Sequence, residues 1–183
     1  MLISFLSHTI EVTSLETENE LKSRLMTCTY GSLLLGEDTE DESKFYLLTV
    51  SLDCGRIGSR QFGLGICSEQ GSLAPHLLLL PEDELMILGF NKEAVGIRLK
   101  DGMQSFRLVF DSLLSSFLYL PQQGFILGIH EIGVIAFTKT GQELWRYDKD
   151  VVTEYFVEKA RLNLRFMDSP SVSLLLSDGR VVS

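Results

Sequence analysis

The chain is poor in the residues on which most site chemistry depends. Its 183 residues include three histidines, three cysteines, one tryptophan and four prolines, and 16 basic side chains stand against 25 acidic ones. His8, His76 and His130 are far apart, with no His-x-x-x-His pair, so no metal motif is formed. Cys28, Cys54 and Cys67 are odd in number and make no Cys-x-x-Cys, which predicts reduced thiols packed as small apolar groups. A Gly-x-Ser-x-Gly elbow and a Gly-Lys-Ser/Thr phosphate loop are both missing. No run reaches the roughly 18 apolar residues of a membrane span. The start, Met1 to His8, lacks the basic region and the long apolar stretch of a secretory signal. These absences predict a cytoplasmic chain that needs no membrane and no cofactor. The formal charge of −9 weighs against nucleic acid, whose phosphates call for a basic face, and towards a protein partner that is itself basic.

What is present is enough for a core. The composition is 45% hydrophobic and 22% charged, which suits a single globular domain over residues 1–183. Several segments alternate with the period-2 pattern of a sheet that buries one face. In Arg161–Phe166, Leu162, Leu164 and Phe166 share one side while Arg161, Asn163 and Arg165 share the other. Val172, Leu174 and Leu176 repeat the pattern after a turn at 168–171, and residues 177–180 turn into a last short strand at Val181-Val182. Residues 44–52, 61–67 and 77–80 also read as strands, the last ended by Pro81. Residues 16–27 are rich in helix formers with Leu21 and Leu25 four apart, so they form a short helix or a polar loop leading into a strand at 23–35. The acidic run 37–42 reads as an exposed hairpin loop.

A shift of 39 residues lays Met86–Leu108 over Phe125–Tyr147 without a gap, with seven of 23 positions identical where chance gives about one or two. Gly102 and Gly141 fall at equivalent turns that need a positive φ, and Phe106 and Trp145 each follow four residues later. Shifting by one more residue aligns Pro81 with Pro121. The predicted organisation is an internal duplication over about 81–120 and 121–160, each copy a meander of about 40 residues. The predicted fold is all-β or nearly so, built of antiparallel, propeller-blade-like meanders. The alternative is a two-sheet β-sandwich with one short helix.

The segment Gly133-Val-Ile-Ala136-Phe-Thr-Lys-Thr-Gly141-Gln-Glu-Leu-Trp145-Arg146 resembles the blade signature of quinoprotein-type (PQQ-like) β-propellers. The resemblance implies that Trp145 docks one blade on the next and that Gly141 is its turn glycine. Thr138 stands where the family has an acidic residue, and the chain is far shorter than a quinoprotein enzyme. Neither the quinone cofactor nor dehydrogenase activity is therefore carried over.

Four residues remain as a candidate ligand or partner surface. Arg56 and Arg60 lie in the Gly-rich stretch 54–65 and suit an anion, while His130 and Glu131 lie in a turn of the second copy. Trp145, Gly141, Gly102 and Phe106 are assigned structural roles. No catalytic residue and no metal ligand set is predicted. The favoured function is a non-catalytic module that recognises another protein. Two alternatives are a small-molecule or anion-binding enzyme, and an inhibitor or immunity-type protein that caps a basic toxin or nuclease.

Overall fold

Alternating apolar and polar residues cannot bury both faces of a strand, so each extended segment must lay one face on a second layer. The computed structural model, which describes residues 2–5, 8–37, 42–53 and 59–182, satisfies this with four sheets in series. Sheet A holds β1 (Leu2–Phe5), β2 (His8–Leu15), β3 (Ser32–Leu35), β4 (Glu42–Asp53) and β5 (Ser59–Glu69), with helix α1 (Glu18–Leu25) between β2 and β3. Sheet B is β6 (His76–Leu80), β7 (Leu85–Phe90), β8 (Glu93–Arg98) and β9 (Gln104–Val109). Sheet C is β10 (Leu114–Leu120), β11 (Phe125–His130), β12 (Gly133–Thr138) and β13 (Glu143–Asp148). Sheet D is β14 (Val152–Glu158), β15 (Arg161–Phe166), β16 (Val172–Leu175) and β17 (Val181–Val182).

Among the described residues the structure is all-β apart from α1 and a single 3₁₀ turn at Pro81–Asp83. Sheets B, C and D are antiparallel meanders with strands in chain order. Sheet A has the same plan, β1-β2-β4-β5, interrupted by the insertion of α1 and β3, and β3 adds to its far edge parallel to β5. The first 75 residues therefore contain the same four-stranded unit.

The sheets pack in chain order. One core joins A to B through Ile10, Leu48, Val50, Leu64, Met86 and Leu88. A second, with Ile87, Phe110, Ile126 and Phe137, joins B to C, and a third, with Leu127, Trp145, Leu162 and Leu174, joins C to D. Among the described residues no core joins D back to A. The outer face of sheet A is covered by α1, whose Leu21 and Leu25 pack on Leu15, Phe45, Leu47 and Cys67. Gly65 permits this approach, since a Cβ there would lie 2.7 Å from Leu25. The helix begins where Thr17 Oγ1 accepts the Glu20 amide at 3.2 Å, with Glu18 and Glu20 in the first turn. The outer face of sheet D carries Arg161, Asn163, Arg165 and Ser173 beside the apolar Phe156, Leu175 and Val182.

The repeat has a different register from the gapless 39-residue shift. β7 and β8 correspond to β11 and β12 at a spacing of 40, whereas β9 and β13 correspond at 39. The turn between β8 and β9 is one residue longer: Arg98 N–H bonds Met103 O, while in sheet C Thr138 N–H bonds Gln142 O. A one-residue slip exchanges the faces of a strand. Gly89 and Gly128, matched by identity, accordingly face opposite ways. A Cβ on Gly89 would strike Phe117 of sheet C, and one on Gly128 would strike Phe110 on the side of sheet B. β10, which falls within the first copy at about 81–120, is moreover the first strand of sheet C.

At the third turn of sheets B, C and D the correspondence is close. Gly102, Gly141 and Gly179 have φ of 70°, 80° and 71°. Each is the seat of an aromatic ring from the preceding sheet: Phe62 on Gly102, Phe106 on Gly141, Trp145 on Gly179. A Cβ would come within 2.8 Å of Phe62 in the first case and 2.6 Å of Trp145 in the last. Trp145 also donates its Nε1–H to Leu176 O at 3.0 Å. In the sequence Phe62 follows Gly58 by four residues, as Phe106 follows Gly102 and Trp145 follows Gly141.

Candidate functional site

An antiparallel meander puts its first and third turns at one end and its second turn, with the connection to the next sheet, at the other. The aromatic-on-glycine contacts occupy the first end, here the hairpin end. At the second, the connector end, backbone bonds tie each turn to the neighbouring connection. Phe110 N–H bonds Lys92 O at 2.7 Å and Leu114 N–H bonds Asn91 O at 2.7 Å. One sheet on, Lys149 N–H bonds Ile132 O at 2.9 Å and Val152 N–H bonds Glu131 O at 2.8 Å.

The buried polar side chains are gathered at this end, because the turns leave backbone groups that the ladders do not pair. Between sheets A and B, Asn91 Oδ1 accepts from Ser68 Oγ at 2.8 Å and from the Glu69 amide at 3.0 Å, and Ser68 pairs with Ser72. Asn91 has a φ of 47°, tolerable for an asparagine. Between B and C, Ser112 Oγ lies 2.8 Å from His130 Nδ1 and accepts the Ile132 amide at 3.1 Å. His130 Nε2 lies 3.0 Å from Asp148 Oδ1, an approach too oblique for a straight hydrogen bond. Between C and D, Asp150 accepts the amides of Val151 at 2.7 Å and Asp168 at 3.2 Å. These bonds, with one from Ser169, hold its carboxyl below the usual carboxylate range.

Ser112, His130 and Asp148 are the residue types of a hydrolytic triad, but Ser112 is 7% exposed and its oxygen already accepts a backbone amide. The larger depressions are lined elsewhere. One of about 530 Å³ lies along sheet D, between Phe156, Asn163, Arg165, Ser173 and Val182. Another, of about 370 Å³, lies between β3 and the β8–β9 turn, lined by Leu33, Phe62, Asp101 and Met103. Among the described residues no group of three or more His, Cys, Asp or Glu could hold a metal ion. Among these residues no helix is long and apolar enough to cross a membrane.

The four candidate surface residues do not converge. Arg56 falls outside the described residues, as do Cys54 and positions 38–41 of the acidic run. Arg60 is exposed at the hairpin end of β5, where it bonds Tyr30 Oη at 3.1 Å and stacks 4.9 Å from the Tyr30 ring centroid. Glu131 is exposed at the opposite end, in the connector turn. His130, beside it, is fully buried and forms part of the lock between B and C, so it is not a surface group. Trp145, Phe106, Gly102 and Gly141 lie at the sheet junctions described above. The inter-sheet locks went unseen in the sequence, since single serines and asparagines carry no spacing signal.

The connections and the second turns of sheets B, C and D carry four acidic and two basic residues among those described; the insertion of sheet A carries four and two more, but it runs over the outer face of that sheet as far as Tyr30 at the hairpin end. The hairpin turns carry five and four.

No protein-family model and no curated protein matches the chain. Among solved structures it is similar to the computationally designed Ika4 protein, at 12% identity and a TM-score of 0.50, over 62% of this chain and 72% of that one. It is also similar to the computationally designed Ika8 protein, at 12% identity and a TM-score of 0.51, over 100% of this chain and 59% of that one. The chain thus spans 59% of the length of Ika8. At such identity the likeness is one of fold.

Proposed function

We propose that this chain is a non-catalytic module that binds another protein through its connector end, and that the partner presents a basic surface there. The observation that carries this reading is the set of exposed carboxylates at that end, where four acidic residues stand against two basic ones in the turns and connections of sheets B, C and D, on a fold whose buried Ser68, Asn91 and Ser112 are already taken up in inter-sheet locks. Exposed acidic groups such as Glu131 and Asp168 supply long-range attraction without needing a pocket. The narrowest form of the reading is an acidic cap on a basic enzyme. The quinoprotein resemblance contributes only its blade geometry, with Trp145 as docking residue.

The test compares two charge reversals in an otherwise identical chain. Partner capture from native extract, followed by affinity measurement with the recovered protein, is carried out for Glu131→Lys/Asp168→Lys and for Asp101→Lys/Asp178→Lys. The connector pair is expected to weaken binding by at least about tenfold, and the hairpin pair by less than about threefold, each rim charge acting mainly on the association rate. Equal effects, or a partner whose affinity ignores salt, would remove the basis of the proposal.

A further inference from the structure

We propose that His130 makes the junction between sheets B and C an acid-sensitive latch, closed while its imidazole is neutral and loosened when the ring takes up a proton. Phe90, His130 and Phe166 are each the last residue of the second strand of their sheets, with their side chains in the core shared with the preceding sheet or packed at its edge. Their exposures are 2%, 0% and 8%. Two sheets fill this slot with a phenyl ring. Sheet C fills it with the one ring that titrates near neutral pH, packed against Phe110 at a centroid distance of 5.6 Å.

The hydrogen bonds around the ring have a direction. The carboxylate of Asp148, 3.0 Å from Nε2 though oblique to it, favours the ring proton on that nitrogen by charge, and Nδ1 faces the Ser112 hydroxyl. Nδ1 is then an acceptor and takes the hydroxyl proton of Ser112 at 2.8 Å, while Ser112 Oγ accepts the Ile132 amide at 3.1 Å. A second ring proton on Nδ1 would meet the Ser112 hydroxyl proton head on. The hydroxyl must turn away from the ring, and a cation is left in a fully buried slot. The charged groups around it are Asp148 and Arg146 from β13 and Asp111 from the connection. Arg146 is held by Glu143 and by Asp111 itself. Burial outweighs the pull of Asp148 and Asp111, so the ring resists protonation more than a free histidine does. What the latch holds is the connection 110–113 against the 131–132 turn, through Ser112 and the 2.9 Å bond from Glu131 N–H to Leu113 O.

The test is amide exchange of Ile132 in the wild type and in His130→Phe, the residue that two other sheets use at this position, followed between about pH 7.5 and 5.5. Uptake of one proton on opening lowers the wild-type protection factor by up to about tenfold per pH unit below about 6.5. In His130→Phe the protection factor stays level. Equal slopes in the two proteins overturn the proposal. The wild-type ring resonances give a second reading that does not depend on the variant folding. His130 is expected to titrate below the value of a free histidine, and titration at or above it overturns the proposal equally.

Discussion

Replacing Gly141 with alanine separates two costs that usually come together. The residue has a φ of 80°, and the ring of Phe106 occupies the space that a Cβ would need. An L-residue in the left-handed region costs about 1 kcal/mol or slightly more, and forcing a methyl group into a filled junction adds about 1–3 kcal/mol. Gly124 is the internal control: its φ is 74°, but nothing lies within 4 Å of the Cβ position. Gly124→Ala is therefore expected to cost about 1 kcal/mol and Gly141→Ala about 2–4 kcal/mol in urea unfolding at constant m-value. Combining Gly141→Ala with Phe106→Ala vacates the space, so the double variant should be more stable than the sum of the single effects by about 1–2 kcal/mol. If the two glycine variants cost the same, or if the double variant is additive, the aromatic-on-glycine contact does not hold the sheets together as described.

Trp145→Phe keeps a ring in the C–D junction but removes the bond to Leu176 O and part of the packing, and is expected to cost about 1–3 kcal/mol in thermal or denaturant unfolding. Asn91→Ala strands the Glu69 amide, leaves the Ser68 hydroxyl with Ser72 alone and puts an alanine at a φ of 47°. It should lose about 2–4 kcal/mol, read by the same assay. Leu21→Ala opens the cover over sheet A and should cost about 2–5 kcal/mol, with dye binding reporting the exposed Phe45 and Leu47. Cys28, half-buried, has its thiol pushed up by burial, and it is expected to react with maleimide at pH 8 more slowly than a cysteine peptide.

Strand alternation made β15, β16 and β17 readable to within a residue or two, because β15 and β16 bury one face only and so show the period-2 pattern plainly, whereas β14 was absorbed into the second copy at 121–160. Sheets B and C were harder for the opposite reason. β7 and β11 are buried on both faces, leaving no polar alternation to fix which side a residue takes. Sequence identity then chose a register one residue out for these strands, and only the residues from the turn glycine onward, with the aromatic and the arginine after it, were correctly paired. Sheet A was hidden by its insertion, which separates β2 from β4 by 26 residues. Of the candidate site, the exposed Glu131 was legible, whereas the burial of His130 was not. Its partners Ser112 and Asp148 lie 18 residues away on either side, brought to it only by the meander.

The serial packing of the sheets carries a consequence for how the molecule comes apart. A terminal sheet is anchored by one neighbour and an inner one by two, so opening should begin at an extremity and advance inward, like a row of books losing its end volume. Sheet D, with a two-residue outermost strand and no helix over its free side, is the weaker extremity. Amide protection should therefore climb from β14–β17 towards β7 and β11, and the emission of Trp145 should change before the circular dichroism of the whole chain is lost.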